Sequence, residues 1–171
     1  MTTHTKVHGI FINYVDHHRP HLFARPCPRP VVDAMLDFLP MDDRRWSWWS
    51  VLDHGNGLLL CEIASDKLCV CNPATRRWTL IPHPHRDVAH GVYLAFDPAV
   101  SPHYEVLLVP AMPPEARKPP FVDDDASRRF LESEWPPTPW RLNVFSSRTG
   151  QWEERAFVRQ GEPAGDRKSV V

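Results

Sequence analysis

A chain of 171 residues has room for about one domain. Its 19 prolines, about 11% against a typical ~5%, exclude a bundle of long helices, and its seven tryptophans exclude a wholly disordered chain. Twenty Lys plus Arg against 21 Asp plus Glu leave a net charge of −1 and no basic stripe, which argues against a nucleic-acid partner.

In chain order, residues 1–45 read as an irregular N-terminal segment. Pro20, Pro26, Pro28, Pro30 and Pro40 interrupt any long element there. One short helical turn is expected over Val31 to Phe38, where Val31, Val32, Met35, Leu36 and Leu39 approximate one face. From residue 46 the pattern changes to short strands. Gly57 to Ile63 and Lys67 to Cys71, joined by the turn-like Ala64, Ser65 and Asp66, read as a β-hairpin. Asn72 and Pro73 stop its second strand. Arg77 to Ile81 is a third strand, closed by Pro82. Tyr93 to Phe96 and His103 to Val109 follow, closed by Asp97-Pro98 and by Pro110. Eight prolines from Pro110 to Pro139 mark a surface excursion over residues 110–140, with one helical turn near Ser127 to Glu134. Arg141 to Phe145 and Gln151 to Val158 resume the strands, and residues 159–171 read as a disordered tail.

One element repeats. Val70, Thr75 and Trp78 recur as Val144, Thr149 and Trp152, each offset by 74 residues. Each copy reads as a strand, a tight turn and a return strand begun by tryptophan. Asn72, Pro73 and Thr75 carry the turn in the first copy, Thr149 and Gly150 in the second. Short strands between turn signals predict an all-β sandwich, barrel or propeller, and the repeated unit favours the propeller. Blade one is expected at 46–82 and blade two at 92–158. Kelch blades are ~50 residues long, and the Pro-rich insertion accounts for the excess in the second.

The runs Asn56 to Cys61, Val70 to Trp78, Tyr93 to Val106 and Val144 to Arg155 together resemble the F-box-associated, kelch-like region of the large grass F-box families. The resemblance covers about Gly9 to Gly161. It implies an incomplete kelch-like β-propeller of about two blades, since complete propellers use roughly 4–8. In that family an F-box docks a Skp-type adaptor of a cullin ubiquitin ligase, and the propeller selects the protein to be ubiquitinated. Residues 1–40 lack a Leu-Pro-led helical module, so no F-box is legible. A Skp-type adaptor is therefore expected only in a parent protein that carries one. The resemblance also leaves open a non-functional or regulatory fragment unable to assemble a ligase.

Chemistry-bearing clusters are sparse. His83, His85 and His90, with Asp87, lie near one another in sequence but match no metal signature. They support a metal-dependent enzyme only as the weakest alternative. His17, His18 and His21 read as surface histidines. Asp123, Asp124 and Asp125 lack the calcium-loop pattern. Cys69 and Cys71 share one face of a strand, but no second pair completes a zinc site, so buried inert thiols are expected. No nucleophile elbow or phosphate loop is present among the seven glycines. The expectation is a protein-interaction module without enzymatic activity, cofactor or bound metal. Trp78 and Trp152 are read as structural. Trp135 and Trp140, flanking a Pro-rich loop, are candidate contacts for an unknown protein substrate. No apolar run reaches the ~20 residues of a membrane span, so no membrane partner is expected. Residues 1–9 have no apolar signal core, so the expected location is cytoplasmic or nuclear.

Overall fold

The computed structural model describes residues 9–14, 19–26, 32, 35–40, 49–63, 67–82, 89–110 and 132–166. Every regular element among them is a β-strand. None of them forms a helix long and apolar enough to cross a membrane.

The N-terminal segment departs from the irregular reading. β1 (Gly9–Ile12) and β2 (His21–Ala24) pair antiparallel, with Ile10 opposite Phe23 and Phe11 opposite Leu22. Pro20 and Pro26 bracket β2 rather than interrupt it, which is why proline counting misread this stretch. The part of Val31 to Phe38 that is described contains no helix. Instead the Leu39 N–H bonds the Leu36 carbonyl at 3.0 Å, in a turn where Leu36 adopts φ 49°.

The first large sheet is an up-and-down run of β3 (Trp49–Gly55), β4 (Leu58–Ile63), β5 (Lys67–Asn72) and β6 (Arg77–Ile81). β3 went unread in the sequence because its alternation is broken by a bulge between Val51 and Asp53. Asn56 and Gly57 join β3 to β4. Both have positive φ, 46° and 87°, the two-residue geometry whose twist matches a hairpin.

The second large sheet has the same form: β7 (Ala89–Ala95), β8 (Glu105–Pro110), β10 (Trp140–Ser146) and β11 (Gln151–Phe157). β9 (Glu134–Trp135), between β8 and β10 in the chain, pairs with β12 (Gly165–Asp166) in a separate two-stranded sheet. Residues 159–166, read as the start of a disordered tail, are thus held down. The Arg159 guanidinium bonds the Pro136 carbonyl at 2.7 Å and Glu134 at 3.0 Å. The helical turn expected from Ser127 falls largely outside the described residues; Glu134 itself is in a strand.

The sheets pack face to face. Leu60, Leu68, Val70 and Ile81 of the first meet Leu94, Val106, Leu108 and Phe145 of the second. The opposite face of the first sheet is covered too. There Trp49, Leu59, Cys61, Ile63, Cys69 and Cys71 pack with Leu36, Leu39, Phe11 and Phe38. Near-continuous apolar strands, such as LLLCEI in β4, are what a sheet buried on both faces requires. The described sheets do not close into a ring.

Leu60 is fully buried between the sheets. Leu60→Ala is expected to cost about 2–5 kcal/mol in urea unfolding, the usual range for a leucine truncated in a core. Val100→Ala, at a side chain 82% exposed, is expected to stay within about 0.5 kcal/mol.

Candidate functional site

The repeated element can be followed atom by atom. Asn72 ends β5, and its Oδ1 accepts the N–H groups of Ala74 and Thr75 at 3.0 and 3.1 Å. That side-chain turn reverses the chain, and Pro73 is buried beneath it. In the second copy the Gly150 N–H bonds the Ser146 carbonyl at 2.8 Å, and the Thr149 hydroxyl reaches the same carbonyl at 3.5 Å. Arg76 and Gly150 lie 74 residues apart, and both have positive φ, 56° and 70°. The turn therefore demands a left-handed residue at this position in each copy. Glycine meets the demand without strain, whereas arginine carries it.

Registers agree across the copies. Cys71 stands opposite Trp78, and Phe145 stands opposite Trp152. Both tryptophans lie on the face turned toward the preceding unit. Trp152 is half-buried against the first sheet, packs on Phe145 with centroids 5.5 Å apart, and donates from Nε1 to the Pro82 carbonyl. Trp78 lies on the face shared with the N-terminal segment and remains 42% exposed. The two sheets thus repeat head to tail.

Polar side chains fix this stacking. Asp53, at the β3 bulge, accepts the His54 N–H at 2.8 Å and, across the sheets, the Leu94 N–H of β7 at 2.7 Å. Asn56 donates to the Phe96 carbonyl at 2.6 Å. Asn13 takes both backbone groups of Val51, at 2.7 and 3.1 Å, and ties the N-terminal hairpin to β3. Ser147 and Tyr104 exchange two bonds, at 2.8 and 3.0 Å.

The far face of the second sheet carries a different chemistry. Thr79 and Ile81 of β6 have 74-residue counterparts in Glu153 and Arg155 of β11. The Arg155 guanidinium is clamped by Glu105 at 2.8 Å and by Glu153. This cluster lines a groove of about 620 Å³ together with Asp97, His103 and Arg148. All three clamp residues are at least one-third exposed, so solvent screening leaves the pairs worth under about 1 kcal/mol.

The candidate aromatics behave differently from freely exposed anchors. Trp135 and Trp140 are both half-buried, with rings packed on each other at 6.3 Å. The loop between them contains cis peptide bonds at Trp135-Pro136 and Thr138-Pro139, and its Thr138-Pro139 tip is exposed.

Cys61, Cys69 and Cys71 are buried together on the face of β4 and β5 turned toward the N-terminal segment. Burial first, and the neighbouring Cys71 second, push the Cys69 thiol up to about 12. Cys61 is raised by its hydrogen bond with Cys71 and then by burial. Cys61 and Cys69, held protonated, are poor nucleophiles and poor metal ligands, whereas the hydrogen bond from Cys61 holds Cys71 below its ordinary value. Among the described residues no group of three or more His, Cys, Asp or Glu is placed to hold a metal ion. His83 and His85 lie outside the described residues, and His90 falls at the start of β7.

Comparison with known proteins gave no match to any family model, to any curated protein or to any solved structure.

Two outcomes are expected. Gly150→Ala, with open space around the added methyl, is expected to cost about 1 kcal/mol in urea unfolding, from backbone strain alone. Stability is expected to fall in alkali. The folded pKa of Cys69 lies above its ordinary 9.0, so the folded state holds the proton longer and its advantage is complete below pH 9. That advantage is lost as pH rises from about 9 to about 12, at up to about 1.4 kcal/mol per pH unit. Tyr104, raised by burial, adds a loss of the same sign. Urea unfolding across that range checks both, and Cys69→Ala is expected to flatten the curve.

Proposed function

We propose that the chain is a protein-recognition module of the kind found in F-box-associated, kelch-like propellers. Its two large sheets would be two blades, and its role that of a substrate receptor in ubiquitination. No catalysis is assigned to it. The ligase chemistry would belong to other subunits, and a Skp-type adaptor would join only through an F-box in a parent protein. The cytoplasm or nucleus is the compartment this reading requires.

The observation that carries the reading is the head-to-tail stacking of two four-stranded meanders. Both run up and down, and their turns repeat at 74 residues. Both place the motif tryptophan toward the preceding unit. A sandwich that closes on itself would turn equivalent faces toward each other, whereas successive blades present the same face in the same direction. The first strands, β3 and β7, are neighbours linked by Asp53 and Leu94, as inner strands of adjacent blades are. Loops at the sheet ends and the exposed Thr138-Pro139 tip then supply contact surface, with Trp135 and Trp140 shaping it. A second reading, a regulatory fragment unable to assemble a ligase, is favoured by the absence of a closed ring among the described residues.

A photo-crosslinking residue placed at Thr138, and separately at Val100 in the exposed turn between β7 and β8, tests the reading in plant extract with the proteasome blocked. The expected result is one discrete protein adduct that also accumulates ubiquitin. Diffuse labelling from both positions would overturn the recognition role. A discrete adduct without ubiquitin would leave the fragment reading in its place.

A further inference from the structure

The two outermost strands have opposite character. β11 presents Glu153, Glu154 and Arg155 along its length, the charged pattern with which natural sheets discourage pairing at an edge. β6 is bare by comparison. Four of its five residues are exposed, and Trp78 and Leu80 share one face at 42% and 41% exposure. Leu36, Leu39 and Phe38 cover the centre of that face but leave this margin open. An exposed edge strand also has unused backbone hydrogen-bonding groups on alternate residues.

Charge specifies what fits there. Between Asn72 and Pro82 the sequence contains Arg76 and Arg77 and no carboxylate. Arg76 lies over the Phe38 ring at 5.3 Å, while Arg77 has no ion-pair partner among the described residues.

We infer that the β6 edge binds an extended peptide segment of a partner protein by antiparallel strand addition. The segment has apolar residues at alternate positions, to continue the Trp78 and Leu80 face. It carries acidic residues at its C-terminal end, opposite Arg77. Backbone pairing gives the affinity, and the alternation sets which face is buried. The inference rests on the recognition role but does not depend on ubiquitination.

The test uses the full chain and fluorescein-labelled nine-residue peptides of alternating Val and Thr, ending in either two Glu or two Lys. Fluorescence anisotropy is expected to show saturable binding of the acidic peptide and about two- to fivefold weaker binding of the basic one, the scale of cross-strand charge pairing. Arg77→Glu is expected to reverse that order without changing the thermal melt. Equal affinity for the two peptides, no binding of either, or indifference to Arg77→Glu would each overturn the proposal. So would sedimentation showing a dimer that Arg77→Glu dissociates, since the occupant would then be a second copy. A discrete crosslinked and ubiquitinated partner alongside failure of both peptides would sink this inference and leave the recognition role intact.

Discussion

The first large sheet is apolar on both faces, and the rest of the fold answers to that constraint. β4 and β5 put Leu60, Leu68 and Val70 on one side and Leu59, Cys61, Cys69 and Cys71 on the other, all buried. A sheet of this kind is insoluble alone and must be covered twice. The second sheet covers one side. Leu36, Leu39 and the N-terminal hairpin cover the other. The polar links follow from the same need. Asp53, Asn56 and Asn13 each satisfy a backbone group where the covering layer meets β3 or β7, and so fix the angle and register of the cover.

The second sheet resolves its own outer face in another way. The positions that are Thr79 and Ile81 in the first sheet are Glu153 and Arg155 in the second. In stacked architectures, a unit with a polar outer face can stand against water where a purely apolar one cannot. The Glu105, Arg155 and Glu153 cluster gives this face that property, while Val144 beside it stays fully buried. Of the last strands of the two large sheets, β11 is charged along its length and β6 is not.

Several strands could be read directly from residues. Leu58 to Ile63, Lys67 to Cys71 and Arg77 to Ile81 have strong β-forming side chains bounded by Asn, Gly and Pro, so local chemistry fixes them. The 74-residue repeat also had physical content, since it marks equal registers and equal positive-φ turn positions in the two copies. β3 was hidden because its bulge at Val51 and Asp53 erases the alternation that identifies a strand. β1 and β2 were hidden because prolines at strand margins look, in sequence, like prolines that prevent strands. Trp135 and Trp140 are legible as candidate contacts, but sequence does not reveal that two rings five residues apart pack on each other.

Sequence by itself determined the all-β class, most strand positions and the turn chemistry, because these depend on side chains within a few residues of each other. Tertiary structure alone decided which face of each strand is covered and by what. It set the direction in which the repeated sheets stack, and it left β6 open while β11 is charged. Those outcomes depend on residues some 40 or more positions apart, such as Asp53 with Leu94 and Trp152 with Pro82. No local pattern encodes which distant partner satisfies a buried group; only the packed arrangement selects it.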